Sequence, residues 1–153
     1  MLGGEIMKTK IAALSFLSFI VLLIVAADAG RMPAFIRAMH AFPNGDRVGH
    51  VGLYGTLAFL LGLAFPAECR LGRTRIPVAF AVLLVGTAGE EWSQAFFSAR
   101  TCDWVDFICS CIGLAGGTWI ARRRLNRGRA NIGKSDAPRP QTTSLVTTRP
   151  TTP

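Results

Sequence analysis

The chain has 153 residues, half of them hydrophobic, with a mean hydropathy of +0.38, and only 17% carry charge, against about 25% in a soluble domain. This balance points to a small membrane protein of one domain and argues against an ordinary soluble enzyme. The net charge of +8 does not indicate nucleic-acid binding, because the basic residues sit at segment ends and in the tail without interleaved aromatics.

The first apolar segment covers residues 11–27 and contains no charge. Its lysines at 8 and 10 and the small residues Ala27-Asp28-Ala29 also suit a secretory signal peptide. Its apolar core exceeds the usual h-region of about 7–15 residues, so a retained helix is the expectation. Three further apolar segments cover 48–66, 76–97 and 104–121. Each approaches the roughly 20 residues that a spanning helix needs. The expected fold is therefore all-α, a small polytopic bundle of four transmembrane helices within a membrane domain of residues 1–124.

Arginine and lysine set the orientation. Lys8 and Lys10, then Arg70, Arg73 and Arg75, then Arg122, Arg123, Arg124, Arg127 and Arg129 fall on one side if all four segments cross. That side is expected to be cytoplasmic, with both termini inside. Residues 125–153 are expected to form a disordered cytoplasmic tail, because their Pro, Thr and Arg content cannot bury enough surface to offset ordering entropy. The Arg122–Arg124 run is expected to anchor the last segment against anionic lipid.

The outward ends of three segments carry the chemistry. Asp46, Arg47 and His50 open the second, Glu90, Glu91 and Gln94 end the third, and Arg100, Asp103 and Asp106 bracket the start of the fourth. Charged groups at bilayer depth cost roughly 2.5–3.5 kcal/mol each on insertion scales, so they persist where they pair or perform a task. Interhelical ties alone return only about 0.6 kcal/mol apiece. The expected site is a polar pocket of Asp46, His50, Glu91, Gln94, Arg100, Asp103 and Asp106 at the outer face. Glu91, His50 and Asp106 are its candidates for proton transfer, and Arg100 for gripping an anionic group bidentately.

A metal set of His50 with two of Glu91, Asp103 and Asp106 lacks the paired histidines or HExxH spacing of a metal motif. No metal or cofactor is therefore assigned. Ser93 and Ser98 lack the turn of a serine nucleophile. Cys69, Cys102, Cys109 and Cys111 show no metal spacing, and the last two read as buried structural thiols. Trp92, Phe96, Phe97 and Trp104 suit an interfacial aromatic belt. Gly113 and Gly117 suit close helix packing, and Gly52 the same role more weakly.

Asp46-Arg-Val-Gly-His50 followed by Tyr54 resembles the opening motif of the VanZ-like family of bacterial membrane proteins. Glu91-Trp-Ser-Gln94, Arg100, Asp103, Asp106, Gly113 and Gly117 resemble its second motif in type and spacing. The resemblance covers roughly residues 32–119. Ser110 stands where the family usually has an asparagine. The family takes its name from a member associated with low-level teicoplanin resistance, and no settled activity accompanies the name. The resemblance implies a protein of the bacterial inner membrane and cell envelope. Three readings follow: a pocket that binds or modifies a membrane lipid or lipid-linked envelope precursor, a non-enzymatic protein that assists a partner, and a proton-coupled carrier that would need to be a homo-oligomer.

Overall fold

The computed structural model describes residues 2–31, 33–94, 96 and 103–135. Helix α1 covers Leu2–Asp28, a short α2 covers Ala34–His40, and α3 covers Gly45–Ala64. A two-stranded hairpin of β1, Glu68–Leu71, and β2, Thr74–Pro77, follows. Helix α4 covers Val78–Gln94 and α5 covers Trp104–Ser135.

The protein is mostly helical, as expected, yet it is not all-α. The hairpin pairs Glu68 with Pro77 through to Leu71 with Thr74. Gly72 turns the chain with φ +61, a conformation that glycine takes without strain. The third apolar segment therefore does not begin its helix at residue 76, because Ile76 and Pro77 belong to β2. Among the described residues, three helices have the length and apolar content to cross a membrane, with spans at Gly4–Asp28, Gly45–Ala64 and Trp104–Gly128. Helix α4, with 17 residues, does not join them on the same measure, so the expected count of four is not established by the fold. Helix α5 continues through Ser135, well beyond the expected segment end at 121. The remainder of the expected tail, 136–153, lies outside the described residues.

Helices α3 and α5 form the closest pair. A Cβ on Gly113 would strike the Val51 carbonyl oxygen, and one on Gly117 would strike the Gly55 carbonyl oxygen. Glycine thus lets two backbones meet where any side chain would hold them apart. Gly52 faces open space, and Gly55 holds the place at the α3 contact instead. Farther along, a Cβ on Gly62 would sit 3.0 Å from the Ala121 methyl. Ile20, Tyr54, Leu57, Ala58, Leu83 and Leu114 fill the core among α1, α3, α4 and α5. Outward positions are also apolar, including Leu22, Val25, Val82, Val85 and Ile112. A helix that is apolar all round belongs in a bilayer or a large core.

The two ends of the bundle differ. At the hairpin end, Arg122 donates to Glu68 at 2.7 Å. Lys10 lies 5.7 Å from the centre of the Phe65 ring, and Arg124 lies 5.5 Å from that of Phe59. These contacts gather the lysines of α1, the hairpin arginines and the α5 arginines at one end. The start of α3, the end of α4 and the start of α5 meet at the other.

Candidate functional site

Local structure first fixes where each polar group points. Asn44 adopts a left-handed φ of 61 just before α3, which asparagine tolerates better than most residues. Its amide oxygen accepts from Arg47 at 2.7 Å. Asp46 then lies in the first turn of α3 and Asp106 in the first turn of α5, positions where the helix dipole favours negative charge. Asp103 precedes α5 and accepts the Val105 N–H at 2.8 Å, which makes it an N-cap.

His50 is the hub. Its Nε2 lies 3.6 Å from Asp46 Oδ1, one turn earlier on α3. Its Nδ1 lies 3.0 Å from Ser110 Oγ on α5, and Ser110 is only 1% exposed. The ring stacks on Tyr54, with centroids 5.9 Å apart and planes at 11°. Tyr54 donates to Glu90 Oε2 at 3.3 Å, carrying the network to α4. There Gln94 Nε2 donates to Glu90 Oε1 at 2.7 Å and reaches Glu91 Oε2 at 3.3 Å. Glu91, 4% exposed, accepts the Asp103 N–H at 2.8 Å. Its carboxylate therefore closes α4 against the start of α5.

Asp46, His50 and Asp106 each offer one ligand atom within 4.8 Å of the others. Beside them lies a cavity of about 230 Å³ lined by Asn44, Asp46, Arg47, Asp103 and Asp106 among others. A larger, apolar cavity of about 620 Å³ lies between α1, α3 and α4. Leu17, Ile20, Leu57, Leu61 and Val82 line it, and Tyr54, Thr87 and Glu90 form its polar part. Thr87 is 3% exposed, and its hydroxyl has no hydrogen-bond partner among the described residues.

Asp46, His50, Glu91, Gln94, Asp103 and Asp106 therefore meet at one end, on three helices. Arg100 lies outside the described residues, as do Phe97, Ser98 and Cys102. Ser93 donates to the Glu90 carbonyl within its own helix at 2.7 Å. Tyr54, Glu90 and Ser110 also belong to the network; the expected pocket does not include them, although Glu90 stands among the outward charged groups of the sequence and Tyr54 and Ser110 at motif positions. Helical spacing could have found two of them. Tyr54 is four residues after His50, and Glu90 is four before Gln94, so each pair shares a face. No such signal links Ser110 to His50, because they face each other across two helices. Ser110 takes a donor–acceptor position beside the histidine. Comparison of the chain with protein-family models, curated proteins and solved structures finds no match.

Proposed function

We propose that this chain is a VanZ-like, multi-pass protein of the bacterial inner membrane whose outward polar site binds the headgroup of a lipid or lipid-linked envelope precursor. In this reading α4 crosses with α1, α3 and α5, which places both termini and the hairpin in the cytoplasm. At 17 residues, α4 is about 25 Å long, near the lower limit for a span. The arginines gathered at the hairpin end support the orientation.

One observation carries the ligand class. The polar network and the apolar cavity share Tyr54 and Glu90, so the molecule offers one continuous surface that is polar at one end and greasy along the rest. A cavity of about 620 Å³ falls in the usual range of about 300–1,000 Å³ for ligand sites. A headgroup with an attached chain matches both parts, whereas a wholly polar solute matches only one. From Tyr54 to Phe65 the α3 wall is about 16 Å long, close to half the roughly 30 Å hydrocarbon core. The unpartnered Thr87 hydroxyl can donate to a polar linkage where chain meets head. Glu91 stands where proton transfer would act on that head.

Native mass spectrometry of the full chain, extracted in mild detergent, tests the reading. Wild type should retain one lipid-like molecule per chain. Gly86 lines the cavity, and a Cβ there meets nothing within 4 Å. Gly86→Phe should therefore fold normally, fill the cavity and lower lipid retention by about tenfold or more, equivalent to at least 1.4 kcal/mol. Equal retention by wild type and Gly86→Phe would sink the proposal.

A further inference from the structure

We infer that Asp46, His50 and Asp106 hold a divalent first-row metal ion, of which Mn²⁺ is the best match, and that this ion takes the anionic part of the headgroup. The second clause rests on the functional reading above; the first stands on the geometry alone. The sequence argued against a metal because no paired-histidine spacing is present. The ligands instead come from one turn of α3 and the first turn of α5, and the packing of those helices brings them together.

Their ligand atoms lie within 4.8 Å of one another. Around an ion with bonds of about 2.1 Å, neighbouring ligands stand about 3.0–3.4 Å apart. His50 Nε2 and Asp46 Oδ1 are 3.6 Å apart, and the carboxyl oxygens of Asp46 and Asp106 lie within 4.8 Å of each other. Closing on an ion needs only small side-chain movement. Two oxygen ligands and one imidazole nitrogen suit Mn²⁺, which leaves positions open for ligand oxygens.

A separate observation concerns the histidine itself. Its Nδ1 faces Ser110 Oγ at 3.0 Å, Ser110 is buried, and Nε2 faces Asp46. Metal-ligating histidines characteristically engage their second nitrogen in this way, which orients the ring and fixes the tautomer. With Ser110 accepting from Nδ1, Nε2 presents its lone pair to the cluster. Tyr54 stacking holds the ring plane.

Charge gives the ion its purpose. Asp46, Asp103 and Asp106 line the small cavity, and Arg47 is the one basic residue among the described residues that line it. Such a site repels a phosphate or carboxylate headgroup. A divalent ion reverses the local sign and bridges the protein carboxylates to the ligand, the common arrangement for metal-bound phosphates. The rival explanation of the neighbouring carboxyls is a shared proton, and the two make different predictions.

The test uses the full chain in detergent, stripped with a chelator and titrated near neutral pH with Mn²⁺ alone. Electron paramagnetic resonance reads free Mn²⁺. The expected result is one saturable ion per chain. Asp46→Asn and Asp106→Asn should each weaken binding by at least about tenfold, and Ser110→Ala by about tenfold through the histidine. Glu68→Gln at the hairpin end should change nothing. Asp106→Cys should shift preference from Mn²⁺ toward the thiophilic Cd²⁺, a change that damage to the fold would not produce. Absence of Mn²⁺ binding by folded wild type, or binding unchanged in Asp106→Asn, would overturn the inference in favour of a shared proton. Lipid retention without Mn²⁺ binding would end the metal site and leave the lipid reading standing. Mn²⁺ binding without lipid retention would do the reverse.

Discussion

Gly117→Ala should cost on the order of 3 kcal/mol, whereas Gly116→Ala one residue earlier should be neutral or slightly stabilising. A Cβ on Gly117 runs into the Gly55 carbonyl oxygen and carbon, and a Cβ on Gly116 meets nothing within 4 Å. The obstructing atoms at Gly117 are backbone, so no rotamer change relieves them, and α3 and α5 must separate along their contact. Overpacking typically costs about 1–3 kcal/mol, and rigid backbone contacts belong at the upper end. At Gly116 only the intrinsic preference remains, which favours alanine by up to about 1 kcal/mol. Unfolding in a detergent series, followed by helical circular dichroism, would compare the two. The damage should also reach the site, because Gly117 and Ser110 lie on the same helix, and His50 meets Ser110 only while the helices are close. Equal stability of the two variants would mean that α3 and α5 do not pack through these glycines.

The same contact explains which parts of the molecule were legible in the sequence. Helices α1, α3 and α5 declare themselves by long apolar runs, since a bilayer demands that pattern wherever the segments sit. Site pairs on one helix are legible too. Asp46 with His50, and Gln94 with Glu90 or Glu91, follow from three- or four-residue spacing. The pairing of His50 with Ser110 was not legible, because it depends on how α3 and α5 are rotated against each other. That rotation is set by the glycines at 55, 113 and 117, of which the sequence reading identified two and chose Gly52 in place of Gly55. The hairpin was missed because its strands have only four residues each and carry arginines, which masks alternation. Gly72-Arg73 between short flanks was the available signal. The α5 extension was missed because an arginine run reads as a membrane boundary. Arginine is also a good helix former, and the helix continues past that boundary.

Glu91→Ala should be the most damaging change at the polar end, at about 3 kcal/mol. Glu91 is 4% exposed, and its carboxylate accepts the Asp103 N–H at 2.8 Å and the Gln94 amide at 3.3 Å. Alanine leaves both donors without that acceptor, and a buried donor left unsatisfied costs about 1–3 kcal/mol. It also opens a cavity where α4 meets the start of α5, which adds to the loss. Gln94 keeps its stronger bond to Glu90 at 2.7 Å, so most of the penalty falls on the Asp103 backbone and the α5 entry. Glu91→Gln should lose less, because its amide oxygen can still accept from Asp103. It does remove a negative charge facing the first turn of α5, where the dipole is worth roughly 0.3–1 kcal/mol. The expected order of stability is therefore wild type, then Gln, then Ala. Glu68→Ala removes a still shorter contact, the 2.7 Å bond from Arg122, but both partners are partly open to solvent. Exposed pairs contribute about 0–1 kcal/mol. Unfolding monitored by labelling of Cys109 and Cys111, both partly buried on α5, would rank all four proteins. If Glu91→Ala proved as mild as Glu68→Ala, the Glu91 carboxylate would not be the tie between α4 and α5, and the polar end would have to be held by its other contacts.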